Sequence, residues 1–333
     1  MNESPLVPQT VSPTAAQTTA QTASGTASGT AAGTAARTAA AGRLSFPPPP
    51  GWTQAPAWTG NGFALGDTVH RVLSYDVGSS GWTDELTELH EDVDDEYHYM
   101  SIASREHAIG SLERWIRVPE PVIVDLGCSS GYTLKHLRER MPRAVVVGAD
   151  YVRGPMEKLG AAIPDIPLLQ FDLTKCPLAD GSIDGIVLLN ILEHIEKDDI
   201  ALRHVYRILR SGGIAVIEVP AGPGLYDLYD RRLLHFRRYR MRDLRRMAAQ
   251  AGFDILESSH LGFFLYPGFW IAKKRNRFLN GASAAVKDAV IGRDMRRLGH
   301  SPVLTWLMRW ENRWRHRVRY PVGIRCLLTC RKP

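Results

Sequence analysis

The sequence is short of the features that would set it apart from ordinary globular proteins. Cysteine is scarce: four in 333 residues, at positions 128, 176, 326 and 330, give neither a disulfide framework nor a paired Cys-x-x-Cys zinc site. A reducing compartment, the cytoplasm, is the expected location. Long apolar runs are missing too. The longest, Leu261 to Ala272, has 12 residues, below the ~18 to 20 that cross a bilayer. The first 43 residues hold only Arg37 and Arg43 as basic groups and no apolar stretch, so no secretory leader is expected and the protein reads as soluble or at most peripheral. With 44% hydrophobic and 23% charged residues, wholly disordered, collagenous and coiled-coil chains are excluded.

The formal charge of +6 is unevenly spread. Residues 231–246 hold eight Arg against Asp243, and residues 267–320 hold thirteen Lys and Arg against Asp288, Asp294 and Glu311. By contrast, Asp84 to Glu96 contains eight carboxylates and no Lys or Arg. This is not a uniformly basic nucleic-acid binder. The asymmetry allows either solvated helix faces or a basic face that meets a phosphorylated substrate, RNA or an anionic membrane.

From Thr22 the chain runs TASG TASG TAAG TAAR TAAAG and then reaches Pro47 to Pro50. So little apolar surface cannot offset a backbone ordering cost of roughly 1 to 2 kcal/mol per residue, and residues 1 to about 60 are expected to be a disordered tail. Residues 67–120 are expected to form an N-terminal helical lid. From 121 to 333, short β-branched runs alternate with stretches of helical period, the pattern of an α/β fold with a mainly parallel sheet. The expected strands are 121–125, 144–149, 167–171, 182–189, 214–219, 253–258 and 323–330. Helices are expected over 131–140, 197–210 and 242–251, with Ser211-Gly212-Gly213 closing the second as a left-handed cap would.

The first strand runs into Val124-Asp125-Leu126-Gly127-Cys128-Ser129-Ser130-Gly131, and the second is followed by Asp150, 25 residues after Asp125. Strand, Gly-rich turn and helix aim backbone N–H groups at a polar or anionic ligand. An acid ending the next strand is placed to accept hydrogen bonds from ribose hydroxyls, so the two features signal a nucleoside-bearing ligand. A dinucleotide would want GxGxxG; this loop is GCSSG, and Asp125 ahead of it would repel a pyrophosphate but suits an amino group.

With GADYV, QFDLTKCPLADGSIDGIVLLNILEHI and LRHVYRILRSGGIAVIEVPA following in order, the sequence resembles the class I S-adenosylmethionine-dependent methyltransferases, in their bacterial small-molecule branch. The resemblance implies a Rossmann-like seven-stranded sheet with helices on both faces and an antiparallel last strand, and S-adenosylmethionine as cofactor. It implies that Gly127 and Gly131 leave room for the methionine part and that Asp125 lies near its amino group. Asp150 would hold the ribose with Tyr151 beside it, Asp172 and Leu173 would meet the adenine, and Asn190 would line the sulfonium side. Ser129 stands where the family commonly has Gly, and its hydroxyl could reach the cofactor carboxylate.

Transfer of a sulfonium-activated methyl group is an in-line displacement that needs the acceptor held about 3 to 3.5 Å away. For a hydroxyl acceptor a general base adds a factor of roughly 10² to 10⁴. His194 and His235 are the candidate catalytic groups, the alternative for His194 being a ring packed on the sheet. Candidate substrate contacts are Tyr97, His98 and Arg105 ahead of the first strand, and Tyr226, Tyr229 and Arg238 after the fifth. No metal centre is expected. Ubiquinone-biosynthesis O-methyltransferases resemble this stretch but carry an acid where Asn190 stands, which leaves a poorer set of hard-oxygen ligands here.

The expected activity is methyl transfer to a small-molecule acceptor, with a hydroxyl of a glycan, lipid-linked compound or secondary metabolite favoured. An RNA methyltransferase and a non-catalytic adaptor that binds a membrane or protein are the alternatives. The first lacks the Asn-Pro-Pro-Tyr-like tetrapeptide after the fourth strand, where Asn190-Ile191-Leu192-Glu193 stands, so nucleic acid is not an expected partner. The basic, Trp-rich insertion at about 267–320 carries Val303, Trp306, Leu307, Trp310, Trp314 and Val318 at helical spacing, flanked by Arg309, Arg313, Arg315 and Arg319. Such an amphipathic helix has three readings: packed on its own sheet, covering a substrate or a homodimer partner, or lying in a membrane interface with Trp at headgroup level.

Overall fold

The computed structural model describes residues 44–75, 98–278, 301–314 and 317–333, with side chains up to 276 in the second segment. The small strands β1 (Ala57–Trp58), β2 (Phe63–Leu65) and β3 (Thr68–His70) form an antiparallel sheet, followed by β4 (Val72–Ser74). Helix α1 (Tyr99–Trp115) leads into the repeating part of the chain. There β5 (Val122–Leu126), α2 (Tyr132–Arg140), β6 (Val145–Asp150), α3 (Arg153–Ala162), β7 (Leu168–Gln170), β8 (Ile183–Leu189), α4 (Asp198–Ile208) and β9 (Leu209–Pro220) alternate. Next come α5 (Leu228–Arg232), α6 (Met241–Gln250), β10 (Asp254–Leu261), α7 (Tyr266–Phe278), α8 (Pro302–Trp314) and β11 (Arg325–Arg331).

The main sheet has the order β10-β11-β9-β8-β5-β6-β7-β4. Its central strands are buried almost throughout, as parallel strands covered on both faces must be, which is why they read as near-continuous apolar runs. Strand β11 runs antiparallel to both neighbours, as expected of the last strand. All seven expected strands are present with shifted ends, and an eighth joins them: β4 pairs in parallel with β7 at the edge.

That edge strand corrects the reading of the N-terminal region. Residues 1–43 lie outside the described residues, but 44–60 are folded. Leu44 and Phe46 are buried in the same core cluster as Phe63, Val124 and Val147, and the Phe63 ring meets Phe46 at 5.1 Å and Trp58 at 4.9 Å. A few aromatic anchors do here what periodicity would otherwise announce. Of the expected lid, 67–75 is strand and turn, α1 is the helix, and 76–97, with Tyr97, lies outside the described residues.

The expected glycine cap is also something else. Helix α4 passes directly into β9, and pairing with β8 jumps from Ile183–Leu209 to Gly185–Ile214. Arg210 to Gly213 therefore leave the ladder as a bulge, with Gly212 at φ +80° and its N–H donated to the Lys332 carbonyl at 2.8 Å.

Helix α8 is turned opposite to its pattern. Its buried residues are Met308, Glu311 and Asn312, while Val303, Trp306, Trp310 and Trp314 are exposed, so the reading that packs the apolar stripe on the sheet is overturned. Polar anchors explain the orientation. The Glu311 carboxylate accepts the N–H groups of Gly262 at 2.7 Å, Phe263 at 3.2 Å and Phe264 at 3.3 Å, and Asn312 donates to the Ala103 carbonyl at 3.1 Å. The Glu311 bonds satisfy the turn after β10, whose donors would otherwise be orphaned, and the Asn312 bond ties α8 to α1.

Candidate active site

The loops after β5, β6, β7 and β8, closed by α1 and the segment after β9, line a cavity of about 910 Å³. Ligands of open α/β sheets bind at this carboxyl edge of the strands. The loop after β5 takes three left-handed residues, Gly127 at φ +80°, Ser129 at +40° and Gly131 at +76°. Asp150, ending β6, holds it: one carboxylate oxygen accepts the Ser129 N–H at 2.9 Å and the other the Val152 N–H at 3.0 Å. Tyr151 also lines the cavity.

Gly127 and Gly131 both line the cavity, and their missing side chains also leave room on the protein side. A Cβ on Gly127 would meet Ile191 Cδ1 at 2.0 Å, and one on Gly131 would meet Leu159 Cδ1 at 2.5 Å. What they make room for there is protein packing behind the loop. Asp125 is buried at 2% exposure and is not on the wall, to which β5 contributes only Leu126. Burial, reinforced by Asp150 and opposed by Arg105, pushes its pKa up to about 8. Arg105 is on the wall, its guanidinium 5.6 Å from the Tyr132 ring centre.

On the expected adenine side, Asp172 and Leu173 line the cavity. One Asp172 oxygen caps the 3₁₀ turn Leu173–Lys175, accepting the Thr174 N–H at 2.8 Å and hydroxyl at 2.7 Å. On the expected sulfonium side, Asn190 lines the cavity at φ +54° and donates its N–H to the Glu218 carbonyl at 2.9 Å and its Nδ2 to Glu218 Oε1 at 3.2 Å. The same Oε1 accepts Ser104 Oγ at 2.8 Å and Arg325 Nη1 at 2.6 Å. Sequence reasoning missed Glu218, Ser104 and Arg325. A signal was present for the first, an acid inside the apolar run IAVIEV, since a fully buried Glu needs partners.

On the acceptor side the structure brings His194 and His235 together, ring centres 4.6 Å apart and 78° between planes, both on the wall. His235 Nδ1 is 2.9 Å from Asp230 Oδ1. Asp230 also accepts Arg238 Nε at 2.7 Å and Lys273 Nζ at 3.0 Å, and Lys273 reaches Asp227 at 2.6 Å. Burial alone would raise the Asp230 pKa, but the His235 hydrogen bond and the Arg238 and Lys273 charges outweigh it and hold it well below the carboxylate range.

These bonds correct several expected substrate contacts. Arg238 and Tyr229 are not on the wall; Arg238 braces Asp230, and Tyr229 lies under Lys273, whose Nζ is 5.2 Å from its ring centre. Tyr226 is on the wall, its hydroxyl donating to the His235 carbonyl at 2.7 Å. His98 stacks on Tyr99 at 4.6 Å, away from the cavity lining.

Glu193, next to His194, is fully buried, and neither carboxylate oxygen has a hydrogen-bond partner among the described residues. Burial pushes its pKa up to about 8. One atom each of Glu193, His194 and His235 lie within 4.8 Å of one another, a donor set that a divalent cation could share.

Residues 124–217 match the family described as a methyltransferase domain. The chain is 31% identical over 116 residues to trans-aconitate 2-methyltransferase of Deinococcus radiodurans, covering 35% of this chain and 43% of that protein. It is 34% identical over 125 residues to demethylmenaquinone methyltransferase of Thermus thermophilus, covering 34% and 56% respectively. It thus spans about half the length of the curated relatives it matches. A Galdieria sulphuraria structure described as a candidate sarcosine dimethylglycine methyltransferase shares the fold, with a TM-score of 0.50 at 15% identity over 75% of this chain and 98% of that one. The strand order, the Gly-rich loop and the acid ending β6 accord with this match, and residues 124–217 are similar to the methyltransferase domain family.

Proposed function

We propose that this protein is an enzyme that moves the methyl group of S-adenosylmethionine to a hydroxyl of a small-molecule acceptor. When bound, the cofactor supplies an electrophilic methyl group that needs no further activation. The residues fit it. Asp150 is on the cavity wall at the end of β6, its carboxylate held by the Ser129 and Val152 N–H groups, where a ribose would meet it. Asn190, fixed by Glu218, lines the same cavity as Asp172.

The observation that carries the hydroxyl acceptor is the Asp230–His235 pair beside His194. A carboxylate at Nδ1 selects the tautomer whose Nε2 accepts a proton. An acceptor hydroxyl held beside this imidazole pair would give up its proton to it, and Asp230 would stabilise the ring that becomes charged. Leu234 and Phe236, both on the wall and exposed, and Arg231 beside them favour an acceptor with an apolar part and an anionic group, such as a lipid-linked glycan or secondary metabolite. The four cysteines are free and buried, which supports a cytoplasmic location; no described helix is long and apolar enough to cross a membrane.

A screen of labelled methyl transfer to phenols, sugars and lipid-linked sugars tests the reading. On the acceptor so found, His235→Gln should lower kcat by about 10² to 10⁴ with cofactor affinity retained. An unchanged kcat would remove the base assignment.

A further inference from the structure

We propose that the face built by α8 and the turn leading into α7 docks on an anionic membrane surface. This goes beyond the methyl-transfer reading and does not depend on it.

The first observation is the inversion of α8. A surface helix normally buries its apolar stripe, yet here Glu311 is 1% and Met308 1% exposed while Val303 is 67% and Trp306 65% exposed. The exposed apolar groups are concentrated rather than scattered. Of the fourteen large exposed hydrophobics among the described residues, nine lie between 264 and 322. Phe264, Trp310 and Trp314 form a contiguous aromatic chain, with ring centres 5.1 Å and 6.5 Å apart. A clustered patch marks an interaction surface, whereas scattered ones need no explanation.

Charge selects the partner. Arg309, Arg313, Arg317 and Arg319 are exposed around the stripe, and Lys274 and Arg275 on α7. Glu311 is the one acid among described residues 262–322, and it is inside. A second copy meeting this face through a two-fold axis would set arginine against arginine. RNA would use the rings and arginines but has no use for Val303, Ile271, Val318 and Val322, which are exposed as well. A bilayer surface uses all three: aliphatics enter the acyl boundary, Trp sits at headgroup level, and Arg meets lipid phosphates. At 13 residues, α8 is too short to span and would lie in the interface.

Co-sedimentation of the full chain, without cofactor or acceptor, with phosphatidylcholine vesicles with and without phosphatidylglycerol tests this. Binding should require phosphatidylglycerol and weaken with salt. Arg309→Gln with Arg313→Gln should lower it about 30-fold, from ~1 kcal/mol per basic residue near the surface. Val303→Ser with Trp306→Ser should lower it about tenfold or more. Both pairs are exposed, so an unchanged melting midpoint will show that the variants fold. Equal binding to both vesicle types, no binding, or unaltered binding by the variants would overturn the proposal. So would tighter binding to polyuridylate, or a dimer that Trp306→Ser dissolves.

Discussion

The Asp150 carboxylate accepts the backbone N–H of Ser129 at 2.9 Å, and Ser129 reaches it by adopting φ +40°. The Gly-rich loop and the acid ending β6 are therefore one hydrogen-bonded unit. The ribose site and the methionine site proposed here are set by the same contact, so a change at either residue moves both.

A left-handed φ at a non-glycine residue costs about 1 to 2 kcal/mol. Ser129→Gly should remove that strain at some cost in unfolded-chain entropy, leaving thermal stability equal or higher and cofactor affinity within a few-fold. Ser129→Val, β-branched in the same conformation, should lower both. Differential scanning calorimetry and a cofactor titration check this.

The central sheet was legible because parallel strands such as VIVDL and VVVGAD carry nearly all their side chains into a core, leaving a pattern that needs no tertiary knowledge. The packing of 44–60 was not, because Leu44 and Phe46 are isolated anchors in a Pro-rich segment. Periodicity located the stripe of α8 but not which side docks; that is decided by Glu311 meeting N–H groups 47 to 49 residues away. In the site, Asp150 and His194 lay in motifs, while Asp230 and Lys273, 43 residues apart, share a network that no local spacing announces.

Lys273 compensates two buried carboxylates, Asp227 and Asp230. Removing one partner of a buried pair leaves uncompensated charge, at about 3 to 5 kcal/mol. Lys273→Met should lose stability on that scale in urea unfolding and, by loosening Asp230, reduce kcat more than it weakens the cofactor. Stability within error of the native chain would show that the network is not needed.

Glu193 gives the stability a pH signature. With its folded pKa raised to about 8 by burial and an unfolded value of about 4.3, the native state keeps a proton that the unfolded chain sheds between these values. The contribution is full below the unfolded pKa and is lost as pH rises through the folded one. Glu193→Gln should flatten that decline and be more stable than the native chain above the folded pKa by a few kcal/mol, at about 1.4 kcal/mol per pKa unit. Asp125, also raised to about 8, leaves a residual slope. Parallel slopes for variant and native chain would contradict the assignment.

The most direct measurement is calorimetric titration of the full chain with S-adenosylhomocysteine, beside Asp150→Ala. The account predicts one site per chain, weakened in the variant by roughly tenfold or more, as expected for loss of a charge-assisted hydrogen bond of about 1.5 to 3 kcal/mol. No binding to the native chain, or equal affinity in the variant, would contradict it.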